Sequence, residues 1–424
     1  MQNYSTHKNR KLSVAIASPG WPLAHFQNGI VTYIHNLLVG LDEIATPMVF
    51  AAPLLGSEVK NRLIDLSKLD SGNGLFKQLL DKILFRIKSR YIHKFQFHRN
   101  IERNADKILM AIKALTVPLD IFEIEESFGT GDLVINKTNV PVVTRLHGPW
   151  FLIGPILHAQ NAWDFKLRVF YEGEAIRNSQ GLTSPSLDVL NKVREFYGLE
   201  LPHAQVIPNP VPEVSSDKLW QYMANQKPSI LFVGRFDSVK GGDLVIDAFK
   251  QIALQNSELE LLFVGPDRGM LIDGKDIKFD EYIERYILDA EIKNRIQFLG
   301  HCAPERISEL RKNALVTVVC SRYETFSIAL IESLAAGCPT IATAVGGMKE
   351  IIIDDYNGLL AESESPTSIA EKVLMLINDP EKMQRLSKNA IEDCKKRFSP
   401  EVVAAQTLDY YHSVLDRVAN TPAN

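Results

Sequence analysis

Two segments in the second half of the chain carry residue types that can do chemistry together. In Gly234-Arg235-Phe236-Asp237-Ser238-Val239-Lys240-Gly241-Gly242, two cations share one glycine-rich loop. Arginine offers a planar fork and lysine a point charge, so Arg235 and Lys240 are suited to clamping a diphosphate. The glycines let backbone and the N-terminus of a following helix approach such an anion. In Ser321-Arg322-Tyr323-Glu324-Thr325-Phe326-Ser327-Ile328-Ala329-Leu330-Ile331-Glu332, a carboxylate on a loop is followed by another inside an apolar run. Thr325, Phe326 and Ser327 are predicted to begin a helix whose free N–H groups would hold phosphate. Glu332 lies further along that helix, where a carboxylate needs a partner, and a pair of sugar or ribose hydroxyls would serve. Each segment also has a plainer reading: two solvated loop cations, and a Glu324 cap with Glu332 paired to a lysine.

Two positions in the first half join these candidates. His147, in Thr144-Arg145-Leu146-His147-Gly148-Pro149-Trp150, ends a strand at a turn that Gly148-Pro149 enforces. Its imidazole is suited either to proton exchange in a cleft or to a local backbone hydrogen bond. Asn28-Gly29 lies in the first strand-to-helix turn, where a glycine permits close ligand approach or simply turns the chain. No G-x-G-x-x-G follows a strand, which disfavours a nicotinamide oxidoreductase.

The elements that must position these residues alternate. Short apolar runs at 12–18, 48–52, 119–124, 140–146 and 205–207 read as buried strands. Helical spacing appears at Ile30, Ile34, Leu37, Leu38 and Leu41, and over about 162–179 and 186–197; the polar and basic stretch 57–115 is predicted to be helical. The cluster Pro208-Asn209-Pro210-Val211-Pro212 reads as a linker. After it the alternation restarts, with strands at 229–233, 259–264, 296–299, 315–320 and 340–343. Parallel strands joined by helices make a doubly wound sheet, whose ligands bind beyond the carboxyl ends of the strands. Two such sheets predict an interdomain cleft. We divide the chain into 1–208, 209–398 and a last helix in 399–424, whose stripe Leu408, Tyr411, Leu415, Val418 is expected to cross back to the first domain.

Composition bounds the alternatives. The chain has 424 residues, 46% apolar and 23% charged, which suits two or three globular domains and excludes a disordered chain. The net charge of −4 gives no reason to expect nucleic acid. It conceals an asymmetry: 23 basic against 19 acidic residues over 1–210, and 24 against 32 over 211–424. Nine lysines and arginines face three acids in 77–107, interleaved with Phe76, Phe85, Tyr91, Phe95 and Phe97. That stretch is either a solvated helical face or a contact with an anionic membrane or phosphorylated lipid. Cys302, Cys320, Cys338 and Cys394 form no C-x-x-C pair and read as reduced thiols of a cytoplasmic protein. With neither a signal peptide nor a spanning apolar run, the expected location is the cytoplasm, with peripheral membrane contact as the variant.

Taken in order, these motifs resemble the family 4 glycosyltransferases, retaining enzymes of the GT-B fold. The resemblance runs over about 205–365: Val206-Ile207-Pro208-Asn209, Gly234-Arg235 with Lys240-Gly241, Leu262-Phe263-Val264-Gly265, Phe298-Leu299-Gly300, Glu324 with Glu332, Ala336-Gly337-Cys338-Pro339, and Gly346-Gly347 with Glu350. Over 1–200 it rests on Asn28-Gly29, Leu146-His147-Gly148 and Ser184-Pro185-Ser186. The resemblance implies two facing Rossmann-like domains and a nucleotide-diphosphate sugar as co-substrate, with no cofactor and no required metal. Arg235 and Lys240 would stabilise the leaving diphosphate, Glu324 would contact donor-sugar hydroxyls, and His147 would approach that sugar. Thr325, Phe326 and Ser327 would offer backbone N–H groups, Glu332 would hold the ribose, and Gly29, Gly265 and His301 would lie near phosphates or nucleotide. A UDP-sugar is the expected donor, with GDP-mannose as the alternative, and the acceptor a saccharide or lipid-linked saccharide of surface polysaccharide synthesis. The family often has Gly-Gly at Asn28-Gly29 and Glu-Gly-Phe-Gly at Glu324-Thr325-Phe326-Ser327. The competing readings are a GT-B-fold nucleotide-sugar epimerase and a silent glycosyltransferase-like accessory subunit.

Overall fold

A computed structural model describes residues 10–26, 28–55, 62–69, 90–222 and 228–420. The chain divides into two compact units, Met1–Pro210 with Pro400–Asn424, and Val211–Ser399. Each is built on one wholly parallel sheet.

The first unit carries β1 (Ser13–Ser18), β2 (Thr46–Ala51), β3 (Leu63–Asp65), β4 (Ile121–Glu125), β5 (Val142–Arg145), β6 (Gly181–Ser184) and β7 (Gln205–Val206). Their order in the sheet is β3-β2-β1-β4-β5-β6-β7. Val14, Ala15 and Ile16 of β1 are all buried, because helices cover both faces. On one face the helix Gly29–Ile44 inserts Tyr33, Ile34, Leu37 and Leu41. On the other, the helix Arg90–Ala114 inserts Ala105, Ile108 and Leu109. Asn28 starts the first helix: its side-chain oxygen accepts from the Val31 N–H at 2.9 Å, satisfying a donor the helix leaves orphaned.

The last helix, Pro400–Asn420, packs on Gly29–Ile44 within this unit. Val403, Ala404, Tyr410, Tyr411, Val414 and Leu415 are its buried stripe. Burying each larger side chain stabilises by roughly 1.5–3 kcal/mol. A buried carboxylate adds specificity: Glu123 on β4 accepts from Tyr33 Oη at 3.0 Å and from Tyr411 Oη at 2.8 Å. Burial raises its pKa, opposed by the positive charge of Arg145 and by the two phenols.

The second unit carries β8 (Ser229–Val233), β9 (Glu260–Val264), β10 (Met270–Ile272), β11 (Lys275–Ile277), β12 (Ile296–Gly300), β13 (Val316–Val319), β14 (Thr340–Thr343) and β15 (Leu359–Ala361). The main sheet runs β12-β9-β8-β13-β14-β15, and β10-β11 is a separate antiparallel hairpin. Phe232, Phe236, Phe249 and Phe263 lie in one core on this sheet, and Leu330, Ile331, Leu334 and Phe398 in another.

Two sequence expectations need correction. The stretch 57–115 is not continuous helix: 63–65 form β3, pairing with Val49–Ala51 of β2. Leu63 and Ile64 are an apolar pair within that polar stretch, half-buried opposite Val49 and Phe50 of β2. The helix expected from Thr325 begins instead at Ile328, with Ser327 in its cap position and extended. The cysteines are free thiols, three of them buried.

Candidate functional site

In the second unit, β8 and β13 are sheet neighbours whose connections depart to opposite sides, since β8 leads to β9 and β13 to β14. A doubly wound sheet opens a crevice at such a reversal, beyond the carboxyl ends of the strands. The two candidate segments are the loops that leave β8 and β13 there.

Glycine makes their approach possible. Gly241 has φ +68°, and a Cβ there would lie 2.1 Å from the Cys320 carbonyl oxygen. Gly346 has φ +48°, and its Cβ would lie 2.1 Å from the Glu324 carbonyl oxygen. That same carbonyl accepts from the Gly347 N–H at 2.9 Å, so the Gly346-Gly347 turn holds the backbone of Glu324.

The side chains complete a charged constellation. The Lys240 ammonium meets the Glu324 carboxylate at Oε1, which also accepts from Ser321 Oγ at 2.9 Å. The Lys240 side chain is 26% exposed and that of Glu324 10%, so the pair faces the solvent edge of the sheet. Asp237, buried between them in sequence, accepts from Arg235 Nε with one oxygen and from the Lys240 N–H at 2.8 Å with the other. Each cation is therefore held by a carboxylate on a short, shaped loop. A charge-assisted arrangement of this kind presents positive charge to an incoming anion without reorganising the backbone.

Arg322 and Asp237 brace these loops, and neither has a role assigned from the sequence. Arg322 lies within the second segment, and it ties the two loops together. Its N–H donates to the Val239 carbonyl at 2.9 Å, and its guanidinium donates to the Ser238 carbonyl at 3.0 Å. It also forks onto Asp243 at 2.9 and 2.6 Å and meets Glu364 at 2.8 Å. Burial is the largest single influence and would lower its pKa; the hydrogen bonds and charges of Asp243 and Glu364 together outweigh it and raise the pKa. Asp237 carries a legible signal, because an aspartate three residues before Lys240 can accept its backbone N–H.

The other predicted donor residues fall nearby or apart. Thr325, Phe326 and Ser327 are buried on the loop after β13, with Phe326 edge-on to Phe398 at 5.8 Å. Glu332 is partnered by Arg311 at 2.7 Å, an arginine on the helix Pro304–Asn313 rather than a lysine. Gly265, at the end of β9, donates to the Gly300 carbonyl at 2.8 Å; this brings it beside exposed His301 at the end of β12.

His147 and Gly29 belong to the first unit. Glu126 holds the turn after β5 by accepting from the His147 N–H at 2.9 Å and the Gly148 N–H at 2.7 Å. Burial pushes the Glu126 carboxyl up to about 7, with those N–H groups opposing. The His147 ring packs edge-on to Tyr33 at 5.0 Å. Burial, then the charge of Arg145, hold its pKa well below the usual value, so the imidazole is neutral at pH 7. Gly29 is exposed at the first helical position, and a Cβ there would meet nothing within 4 Å. Packing therefore does not require glycine at that position.

The family model for glycosyl transferases group 1 matches residues 219–393. An uncharacterized glycosyltransferase of Methanocaldococcus jannaschii is 33% identical over 286 residues, 68% of this chain and 72% of that protein. A D-inositol 3-phosphate glycosyltransferase of Xylanimonas cellulosilytica is 25% identical over 300 residues, covering 68% and 70%. The fold matches sucrose-phosphate synthase from Thermosynechococcus elongatus with a TM-score of 0.72 at 19% identity, over 96% of this chain and 100% of that one. It matches Anabaena HepE, solved in complex with UDP and glucose, at 0.64 and 16% identity, over 95% and 100%. The architecture is therefore α/β of the GT-B type.

Proposed function

The chain belongs to the group 1 glycosyl transferases, and from that premise we propose that it transfers a sugar from a nucleotide-diphosphate sugar, with retention of configuration, to a saccharide or lipid-linked acceptor. The observation that carries this reading is the Lys240–Glu324 pair, with Arg235 on Asp237, where β8 and β13 diverge. An arriving diphosphate takes its charge neutralisation from Arg235 and Lys240, whose positions the loop already fixes. As the anomeric bond breaks, negative charge grows on the leaving phosphate oxygens, and these cations stabilise it more in the transition state than in the ground state. Glu324, freed in part from Lys240, accepts donor-sugar hydroxyls and orients the ring. The acceptor hydroxyl then attacks the face the diphosphate is leaving, and a phosphate oxygen takes its proton. Neutral His147 is suited to accepting or donating a hydrogen bond to the donor sugar, while Gly29 leaves its backbone open to phosphate. Thr325 to Ser327 offer N–H groups, and Glu332, oriented by Arg311, accepts ribose hydroxyls.

A UDP-sugar is the donor we propose first, in keeping with HepE and its bound UDP, with GDP-mannose second. Two cations at the diphosphate can do the work a divalent metal does elsewhere, so we propose that no metal is required. Among the described residues no helix is long and apolar enough to cross a membrane. Peripheral contact through the basic stretch is part of the proposal; residues 77–89 of it lie outside the described residues, and 90–107 lie on the helix Arg90–Ala114. A panel of nucleotide sugars, with released nucleotide measured with and without candidate acceptors, tests the reading. Acceptor-dependent release supports it, and an epimerised donor without transfer overturns it.

A further inference from the structure

Buried carboxylates hold the turn that carries His147. Its backbone donors are the N–H groups of His147, Gly148 and Trp150, since Pro149 has none. Glu126 takes the first two, at 2.9 and 2.7 Å, with one carboxylate oxygen for each. Glu172, on the helix Phe165–Asn178, takes the third at 2.7 Å and so fixes the far end of the turn. Both glutamates are buried. Glu126 is tied to the same strand end through its main chain, because its N–H donates to the Arg145 carbonyl at 3.2 Å. The imidazole is thus placed from two sides, by this backbone and by the edge-on ring of Tyr33.

A serine or asparagine could cap one such N–H without burying an acid. A glutamate with both oxygens engaged fixes two successive peptide planes, and with them the direction in which the His147 side chain leaves the backbone. That hold is complete only in the ionised form, because protonation turns one oxygen into an O–H donor facing an N–H. The surroundings set when this happens. Burial raises the Glu126 carboxyl to about 7, against the two N–H groups and the charge of Arg145 on β5. Glu125 beside it, raised by burial and then by the charge of Glu126, stands at about 8, so Glu126 ionises first. Arg168 and Glu172 on the helix Phe165–Asn178, and Tyr197 on Leu187–Tyr197, complete the charged and titratable groups around it. His147 is held neutral well below this range and does not titrate with it.

We propose that Glu126 is a positioning residue for the transfer step: by accepting both N–H groups of the His147 turn, it fixes where the imidazole meets the donor sugar. The task given to the imidazole rests on the transferase reading above, whereas the hold on the turn stands on the two hydrogen bonds. Two readouts on the full chain test it. The first is NMR of isotope-labelled histidine and glycine across the pH range, with His147→Ala used to assign the turn. The amide protons of His147 and Gly148 are expected to move downfield together with one midpoint near 7, and not to do so in Glu126→Gln. Wild type alone supplies that titration, so a variant that fails to fold does not remove the test. The second is steady-state kinetics with the nucleotide-sugar panel. Wild-type kcat is expected to rise with pH through about 7. Glu126→Gln is expected to lose that limb and about tenfold or more in kcat, with donor KM changed less than about threefold. In the His147→Ala background the same substitution is expected to cost less than about twofold, since its effect passes through the imidazole. The inference is overturned if the two amides do not titrate together, if His147→Ala turns over as wild type does, or if the losses of the two substitutions multiply. Titrating amides in a chain that turns over no nucleotide sugar overturn the transferase reading instead and leave Glu126 holding the turn.

Discussion

Lys240→Ala separates catalysis from stability at one position. The substitution deletes the cation that faces the proposed diphosphate and leaves Glu324 with Ser321 Oγ, 2.9 Å away, as its remaining side-chain partner. Losing one preorganised charge-stabilising group costs about 3 kcal/mol of transition-state energy, so turnover should fall at least ~100-fold. The stability cost is smaller. The pair is partly exposed, between the roughly 0–1 kcal/mol of a surface pair and the 3–5 kcal/mol of breaking a buried one; about 1–2 kcal/mol is expected. The loop itself is held independently, by Asp237 on the Lys240 N–H and by Arg322 on Ser238 and Val239. A folded variant, with a melting temperature within several degrees of wild type, should therefore be almost inactive. Initial rates of nucleotide release with saturating acceptor measure one quantity, and urea unfolding the other. Near-normal turnover would refute the charge-stabilisation argument. A variant that unfolds outright would refute the claim that the loop is held without Lys240.

Three further outcomes follow from particular contacts. Gly346→Ala drives a Cβ against the Glu324 carbonyl at a positive φ, so activity should drop at least ~10-fold, with a destabilisation of about 1–3 kcal/mol read by thermal unfolding. Glu125 and Glu126 have folded pKa values of about 8 and about 7, above the 4.5 of a free glutamate. The native state then binds more protons than the unfolded one across that window, so their stability contribution is full below about 4.5 and is lost as pH rises through 7 and 8. Melting temperature should accordingly fall less steeply toward alkaline pH in Glu125→Met than in wild type. The basic stretch predicts sedimentation with anionic vesicles at low salt and release at high salt; absence of binding at both counts against membrane contact.

Much of the fold is legible in the sequence because parallel strands buried on two faces must be apolar throughout. Ser229–Val233 and Thr340–Thr343 match the sequence expectation residue for residue: each has an apolar centre, Ile230-Leu231-Phe232 and Ile341-Ala342, buried between two covered faces. The segments that escape lack the pattern: Gly181–Ser184 has Leu182 as its one large apolar residue, Leu359–Ala361 is too short, and Leu63–Asp65 lies in a polar stretch. The β10–β11 hairpin has a local signal, since Asp273-Gly274 takes φ +50° and +76° and an Asp-Gly turn selects that geometry. At the site, Arg235 and Lys240 stand out in the sequence because two cations on one glycine-bearing loop already suit an anion, and Glu324 because it is a carboxylate on the loop after an apolar strand. Arg322 on Asp243 and Glu364, and Arg311 on Glu332, are not: each joins residues 21 to 79 positions apart, and only the sheet order brings them together.

The central claim is that this chain breaks a nucleotide-diphosphate sugar and hands the sugar on with its anomeric configuration kept. The direct measurement is NMR of the products formed from the donor panel with acceptor, run in the presence of EDTA. The account predicts one nucleoside diphosphate released for each glycosidic bond made, and an anomeric configuration in the product equal to that of the donor. An inverted linkage, a dependence on added divalent metal, or an epimerised nucleotide sugar with no new glycosidic bond would contradict it.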